Sequence, residues 1–307
     1  MTVPISSVAL IGFGEVGSIF ARDLRALGVS ELAAFDPLFA DPLSSAARNL
    51  AQAQGVRACA SPQDAVREAE IVFVAVTAGS DLEAAAALDG ALDHTPFVVD
   101  VNSVSPGVKR QAAARVTAAG GLYVEAAVMT SAPPKGLATP MLLGGPHAKA
   151  FAPVAARLGM DVEVFSDVIG RAASVKMCRS VVIKGLEAIL LESLLTARRY
   201  GVEAEVLASL TDTIPGADWP QLARYMIGRA ALHGRRRAEE MREAARTVDE
   251  AGLEPLSACA TAARQGWAAE IAARTPADAL SAPDLATLLD GLLAALPPKT
   301  ASEGVAA

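Results

Sequence analysis

Up to about Asp167, short apolar runs alternate with stretches of helical periodicity along the 307-residue chain. Val8 to Ile11, Leu32 to Phe35, Ile71 to Val76, Phe97 to Val101, Leu122 to Ala127, Met141 to Leu143 and Val162 to Phe165 read as strands. Val16 to Leu27, Leu43 to Gln54, Asp64 to Glu68, Leu82 to Leu88, Pro106 to Ala119 and Lys149 to Leu158 read as helices between them. This alternation predicts a parallel sheet with crossover helices. The unbroken apolar character of Ile71 to Val76 suits a strand covered on both faces. Beyond Asp167 the strand signals vanish. Ala172 to Tyr200 carries one breaker, Gly185, and predicts an unusually long helix. Further helices are expected near Ala204 to Thr213, Trp219 to Leu232, Arg235 to Ala251, Leu256 to Arg274 and Pro283 to Leu296, with Pro215, Pro255, Pro276 and Pro297 at boundaries. The expected class is α/β: a mostly parallel sheet domain over residues 1–168, an all-α domain over 169–298, and a tail, 299–307, of residues small and polar enough to be disordered.

Composition narrows the function. Apolar residues make up 52% of the chain and aromatics 4%, enough to bury two cores and in keeping with tightly packed helices. The net charge is −7 and the basic residues are scattered apart from Arg235-Arg236-Arg237, so a nucleic-acid partner is not expected. Cys59, Cys178 and Cys259 are too few and too separate for a disulfide framework or a thiolate metal site, which suits a reducing, cytoplasmic location. No segment reaches the ~20 apolar residues of a membrane span, and the first apolar run stops at Gly12, unlike a secretory leader.

The strongest motif is Gly12-Phe13-Gly14-Glu15-Val16-Gly17, which directly follows an apolar run and opens a helix. There Gly12 permits a tight turn, Gly14 lets backbone approach a pyrophosphate, and Gly17 allows close packing of helix on strand. The helix N-terminus then meets the anion with free N–H groups. Asp36 closes the second strand run, placed to accept from both adenosine ribose hydroxyls and to repel a 2′-phosphate. The following Pro37-Leu38-Phe39 offers no arginine, so NAD is expected over NADP. The lesser alternative is that Asp36 only starts a turn before Pro37.

In the second half, Lys176, Ser180, Lys184 and Glu187 recur at helical spacing and form one polar stripe on an otherwise apolar helix. Such a stripe faces either water or a cleft. In a cleft, partial desolvation suits a lysine to general acid–base work. His94, His147 and His233 lack metal-ligand spacing, so no metal is assigned.

Taken together, these segments resemble the β-hydroxyacid dehydrogenase and 6-phosphogluconate dehydrogenase superfamily, in which a Rossmann-type domain precedes an all-helical one. Asp100-Val101-Asn102-Ser103-Val104-Ser105-Pro106 looks like that family's segment beside the nicotinamide. Glu125-Ala126-Ala127-Val128-Met129-Thr130-Ser131 matches its substrate loop. Lys176 falls at its catalytic lysine. The resemblance implies hydride transfer between nicotinamide and a hydroxy acid, sugar acids included, with Lys176 taking or returning the hydroxyl proton. It also implies that Val76, Thr77 and Asn102 join the cofactor contacts, and that Ser103, Met129, Thr130 and Ser131 hold the substrate carboxylate. Arg179, Ser180 and Lys184 are further substrate candidates.

The chain departs from the usual pattern. The family's substrate loop is Ser-Gly-Gly where this chain has Met129-Thr130-Ser131. Arg179 and Ser180 stand where asparagine or histidine is common, and a later Lys-Asp pair is replaced around Ala238-Glu239. Lys176-Met177-Cys178, Lys184-Gly185 and the segment His233 to Met241 are similar to a poorly characterised subgroup with its own C-terminal domain type. Two other readings stay open here: an imine or ketone reductase of the same architecture, the imine-reducing members of which generally lack the lysine, and a non-catalytic NAD-binding sensor. The broad apolar girth of the long helix, together with the resemblance, leads to the expectation of a homodimer.

Overall fold

A computed structural model of the chain describes residues 5–297, so the expected tail at 299–307 lies outside the described residues. By internal packing the chain divides into two compact units, residues 1–179 with 246–253, and residues 180–245 with 254 onward.

The first unit holds eight strands: β1 (Ser7–Ile11), β2 (Glu31–Phe35), β3 (Val56–Ala58), β4 (Ile71–Val74), β5 (Phe97–Asp100), β6 (Leu122–Val128), β7 (Met141–Gly144) and β8 (Val162–Ser166). They form one sheet in the order β3-β2-β1-β4-β5-β6-β7-β8, parallel throughout except where β7 runs against β6. Alternate residues point to opposite faces, and both faces are buried. Val8, Leu10, Ile71 and Phe73 join one core with Phe20, Leu24 and Phe151. Ala9, Ile11, Val72 and Val74 join the other with Leu88 and Val116. The connecting helices are α1 (Glu15–Ala26), α2 (Ser45–Gln52), α3 (Pro62–Val66), α4 (Asp81–Ala86), α5 (Pro106–Ala118) and α6 (Ala148–Arg157).

After β8 the chain is helical: α7 (Arg171–Tyr200), α8 (Glu203–Thr213), α9 (Trp219–Glu250), α10 (Leu256–Ala272), α11 (Ala277–Ser281) and α12 (Leu285–Ala294). The core of the second unit gathers Leu190, Leu191, Leu194, Trp219, Ile227, Leu288 and Leu289. None of the described helices is long and apolar enough to cross a membrane.

The structure corrects the sequence reading in three places. The helices expected at Trp219 to Leu232 and Arg235 to Ala251 are one, α9, and Gly234 does not break it. A Cβ there would lie 2.3 Å from the Gln265 carbonyl oxygen and 3.0 Å from the Ala269 nitrogen, so this glycine marks a close helix crossing with α10. Strand β3 went unseen because it is a three-residue edge strand, Val-Arg-Ala, with Arg57 and Ala58 exposed. Helix α11 went unseen because its five residues span little more than one turn.

Candidate active site

The glycine turn has the geometry its spacing implies. Gly12 is left-handed (φ 94°), and a Cβ on it would sit 2.3 Å from the Ala75 carbonyl oxygen, so only glycine passes between β1 and β4. A Cβ on Gly17 would come within 2.2 Å of the Gly12 carbonyl oxygen, whereas one on Gly14 would meet nothing within 4 Å. Helix packing is therefore tight at Gly17, and the approach over Gly14 is open. Gly14 caps α1 without a side-chain hydrogen bond, so no side chain from the cap stands over the helix N-terminus, the end that favours an anion. Phe13 is fully buried, edge-on to Phe39, so only its backbone can meet a ligand. Glu15 is exposed and Val16 half-buried.

Asp36 follows β2 and accepts from two backbone groups, Phe13 N–H at 2.8 Å and Leu38 N–H at 2.9 Å. It therefore does cap the short turn at Pro37, and it also braces the glycine turn. Each carboxylate oxygen retains a second lone pair for a ribose hydroxyl. Asn49, not singled out in the sequence, donates from Nδ2 to the Phe13 and Gly14 carbonyls at 3.3 and 3.2 Å.

Beyond the carboxyl ends of β4 and β5 lies a buried polar network. Asn102 Oδ1 accepts from Val76 N–H at 2.8 Å, and its Nδ2 donates to Asp81 Oδ1 at 2.5 Å. Its own N–H donates to Asp100 Oδ1 at 2.9 Å. Asp100 in turn pairs with Lys109 Nζ at 2.7 Å and accepts from the Tyr123 hydroxyl at 2.7 Å. Burial, and then the charge on Asp100, push the Tyr123 phenol well up, so it stays a donor. Thr77 is exposed, its hydroxyl 3.3 Å from that of Ser80, and Ser103 is half-buried. Next to them Ser105 caps α5, and its hydroxyl donates to Glu250 Oε1 at 2.7 Å, while Glu250 Oε2 accepts from Gly107 N–H at 2.8 Å. Residues 145 apart in sequence thus share this cap.

Lys176 lies in the second turn of α7, partly buried. The start of that helix is held by Glu125 of β6, a wholly buried carboxylate that accepts from Gly170 N–H at 2.6 Å and from Ala173 N–H. Gly144, paired with Glu125 across β6 and β7, leaves room for it, since a Cβ there would lie 2.5 Å from Oε2. Burial raises the Glu125 carboxyl, and Lys109 and the two N–H groups pull it back. Past β6, Met129 is half-buried with its N–H on the Pro140 carbonyl at 2.9 Å, and Thr130 and Ser131 are exposed.

The polar stripe divides along α7. Arg179 is exposed. In the second unit Ser180 is buried and accepts from Lys184 Nζ at 3.1 Å, and Lys184 is ion-paired to Glu240 at 2.8 Å. Glu187 is 1% exposed, paired with Arg237 and accepting from Gln265 Nε2 at 3.0 Å. From Ser180 to Glu187 the stripe therefore faces protein partners and not water, and the Lys184 charge is already matched.

Asp81, Lys109, Tyr123, Glu125 and Glu250 escaped the sequence reading as site residues. For Glu125 a signal existed: a carboxylate in the apolar run Leu122 to Val128 needs a buried partner.

Residues 7–162 match the model of the NAD binding domain of 6-phosphogluconate dehydrogenase, and residues 197–268 match DUF1932, a domain of unknown function. A conserved hypothetical protein of Sinorhizobium meliloti 1021 is 33% identical, with a TM-score of 0.72 over 95% of this chain and 97% of that one. A conserved protein of unknown function, described as structurally similar to 3-hydroxyacid dehydrogenases, is 30% identical, with a TM-score of 0.64 over 85% and 97%. The fold is also that of a Mycobacterium tuberculosis 3-hydroxyisobutyrate dehydrogenase solved with L-serine, at 19% identity and a TM-score of 0.63 over 93% and 98%. With its open glycine cradle, mostly parallel sheet and helical second half, this chain belongs to the family of the NAD binding domain of 6-phosphogluconate dehydrogenase, joined here to a DUF1932 domain.

Proposed function

We propose that this chain is an NAD-dependent dehydrogenase that oxidises a hydroxy acid, sugar acids included, or reduces the corresponding carbonyl, with Lys176 as the general acid–base. The observation that carries the reading is the placement of Lys176. It stands in the second turn of a helix whose first N–H groups are locked by buried Glu125, in the compact unit that also holds the glycine turn. A lysine so mounted suits a proton transfer that demands accurate placement.

Bound nicotinamide supplies the hydride acceptor or donor. The N-terminus of α1 holds the pyrophosphate, and Gly14 leaves the space for it. Asp36 accepts from the adenosine ribose and disfavours a 2′-phosphate, the basis for NAD over NADP. Ser103 and the Met129 to Ser131 loop hold the substrate carboxylate. Lys176 takes the hydroxyl proton during oxidation and returns it during reduction. Arg179 is the exposed cation among the further substrate candidates, while Lys184 already serves Glu240.

The reading extends to a cytoplasmic homodimer. Val182, Ile189 and Tyr200, spaced along one side of α7, are 67%, 66% and 78% exposed, leaving an apolar face open to a second copy. The test is a panel of hydroxy acids offered with NAD and with NADP, followed by absorbance of the reduced cofactor, with light scattering for mass. Turnover of at least one acid, preferentially with NAD, is expected from a dimeric species. Tight NAD binding without turnover of any acid, or a monomer at micromolar concentration, contradicts the corresponding part.

A further inference from the structure

The sheet order reverses between β1 and β4, the crevice where a dinucleotide crosses a sheet of this kind. With the pyrophosphate at the start of α1 and the adenosine ribose toward Asp36 after β2, the nicotinamide half falls to the β4 and β5 side. Val76, Thr77 and Asn102 are the residues that leave those two strands.

Asn102 is a two-ended strut. Its carboxamide accepts from Val76 N–H at one end and donates to Asp81 Oδ1 at the other. The amide alone has no preferred sense, because turning it over exchanges donor and acceptor. An acceptor oxygen facing Nδ2 removes the ambiguity: turned over, the amide would set oxygen against oxygen at Asp81 and N–H against N–H at Val76. Asp81 and Asn102 are 2% and 4% exposed, so no solvent competes.

We propose that Asp81 is a positioning residue for the nicotinamide half of the cofactor, acting through the oriented Asn102 carboxamide on the Val76-Thr77 backbone. It touches neither cofactor nor substrate in this role. The proposal rests on the nucleotide-binding reading of the glycine turn and adds to it a residue 21 positions from Asn102 in sequence. Burial foremost, then the neighbouring Asp100 carboxylate, push the Asp81 carboxyl up to about 7, with Lys109 opposing. The neutral Asp81→Asn side chain is therefore a close substitute, with an oxygen still available to Asn102 Nδ2, whereas Asp81→Ala is not.

The test titrates the full-length wild type, Asp81→Asn and Asp81→Ala with NADH and with ADP-ribose, which lacks the nicotinamide. Amide exchange is followed at Val76 and at Leu10 in β1. Leaving buried Asn102 Nδ2 without its acceptor predicts that Asp81→Ala weakens NADH binding roughly 10- to 100-fold. ADP-ribose affinity should stay within about threefold and Val76 exchange should rise about tenfold or more, with Leu10 unchanged. Asp81→Asn should restore NADH affinity to within about tenfold of wild type. Equal weakening of both ligands, or NADH binding by Asp81→Ala at wild-type strength, would overturn the proposal. A wild-type chain that binds neither ligand refutes the nucleotide reading itself, and the proposal with it.

Discussion

Glu125 offers the sharpest perturbation of the site. Its carboxylate is wholly buried and accepts from two backbone N–H groups at the start of α7, within six residues of Lys176. An acidic group at a helix N-terminus also meets the positive end of the helix dipole. Glu125→Gln keeps one acceptor and turns an NH2 toward the other N–H, so one buried donor loses its partner at a cost of about 1–3 kcal/mol. Glu125→Ala strands both donors and opens a void, but it also relieves the desolvation that raises the carboxyl, for a net loss of about 2–4 kcal/mol. Local opening of the helix start should follow, so amide exchange at Gly170, Ala173 and Ser174 should rise by roughly 5- to 150-fold in Glu125→Gln. Turnover should fall by about tenfold or more as Lys176 loses its fixed mount, while NADH affinity stays near wild type. Exchange and turnover both unchanged in Glu125→Gln would refute this reasoning. A fall in NADH affinity as large as the fall in turnover would show a general disturbance instead.

Gly234→Val places a branched side chain against the α10 backbone, where even a Cβ would lie 2.3 Å from the Gln265 carbonyl oxygen. It should destabilise the helical unit by about 3 kcal/mol or more, read by chemical denaturation followed at Trp219 and Trp267, and an unchanged midpoint would contradict the packing. Asp81 also predicts a pH effect. Its folded carboxyl sits at about 7 against an unfolded value near 3.9, so between those values the unfolded chain sheds its proton first, and stability present at pH 4 declines as the pH rises toward 7. Wild type minus Asp81→Asn should therefore lose on the order of 4 kcal/mol between pH 4 and 8, and a flat difference would contradict it. Asp36→Ala removes the acceptor of Phe13 N–H as well as the ribose partner, so NAD affinity should fall by about tenfold or more and the NAD-over-NADP preference should narrow, measured by titration with both. A preference left intact would move the discrimination elsewhere.

Sequence pattern carried the local features well. The run Val8 to Ile11, the glycine spacing and the helix after it are contiguous, and Gly17 answers to a neighbour within the turn itself, the Gly12 carbonyl. The unbroken apolar run at β4 is covered on both faces, as its composition implies. Features that depend on distant partners stayed hidden. Glu250 reaches Ser105 across 145 residues and Glu125 reaches Gly170 across 45, and neither separation leaves a period or spacing to detect. Gly234 reads as a helix breaker from propensity alone, because only the presence of α10 reveals that the missing side chain serves packing. The stripe from Lys176 to Glu187 was visible as a period. Its inward turn from Ser180 onward depends on Glu240, Arg237 and Gln265, which lie on other helices.

The measurement that bears most directly on the proposed reaction is single-turnover hydride transfer in Lys176→Ala, with NADH affinity determined alongside, once the acid panel has supplied a substrate. Loss of the general acid–base predicts a transfer rate lower by about 10²- to 10⁴-fold with cofactor affinity unchanged. Transfer retained within about threefold of wild type would contradict the assignment of Lys176 and return the fold to the alternatives its glycine turn alone allows.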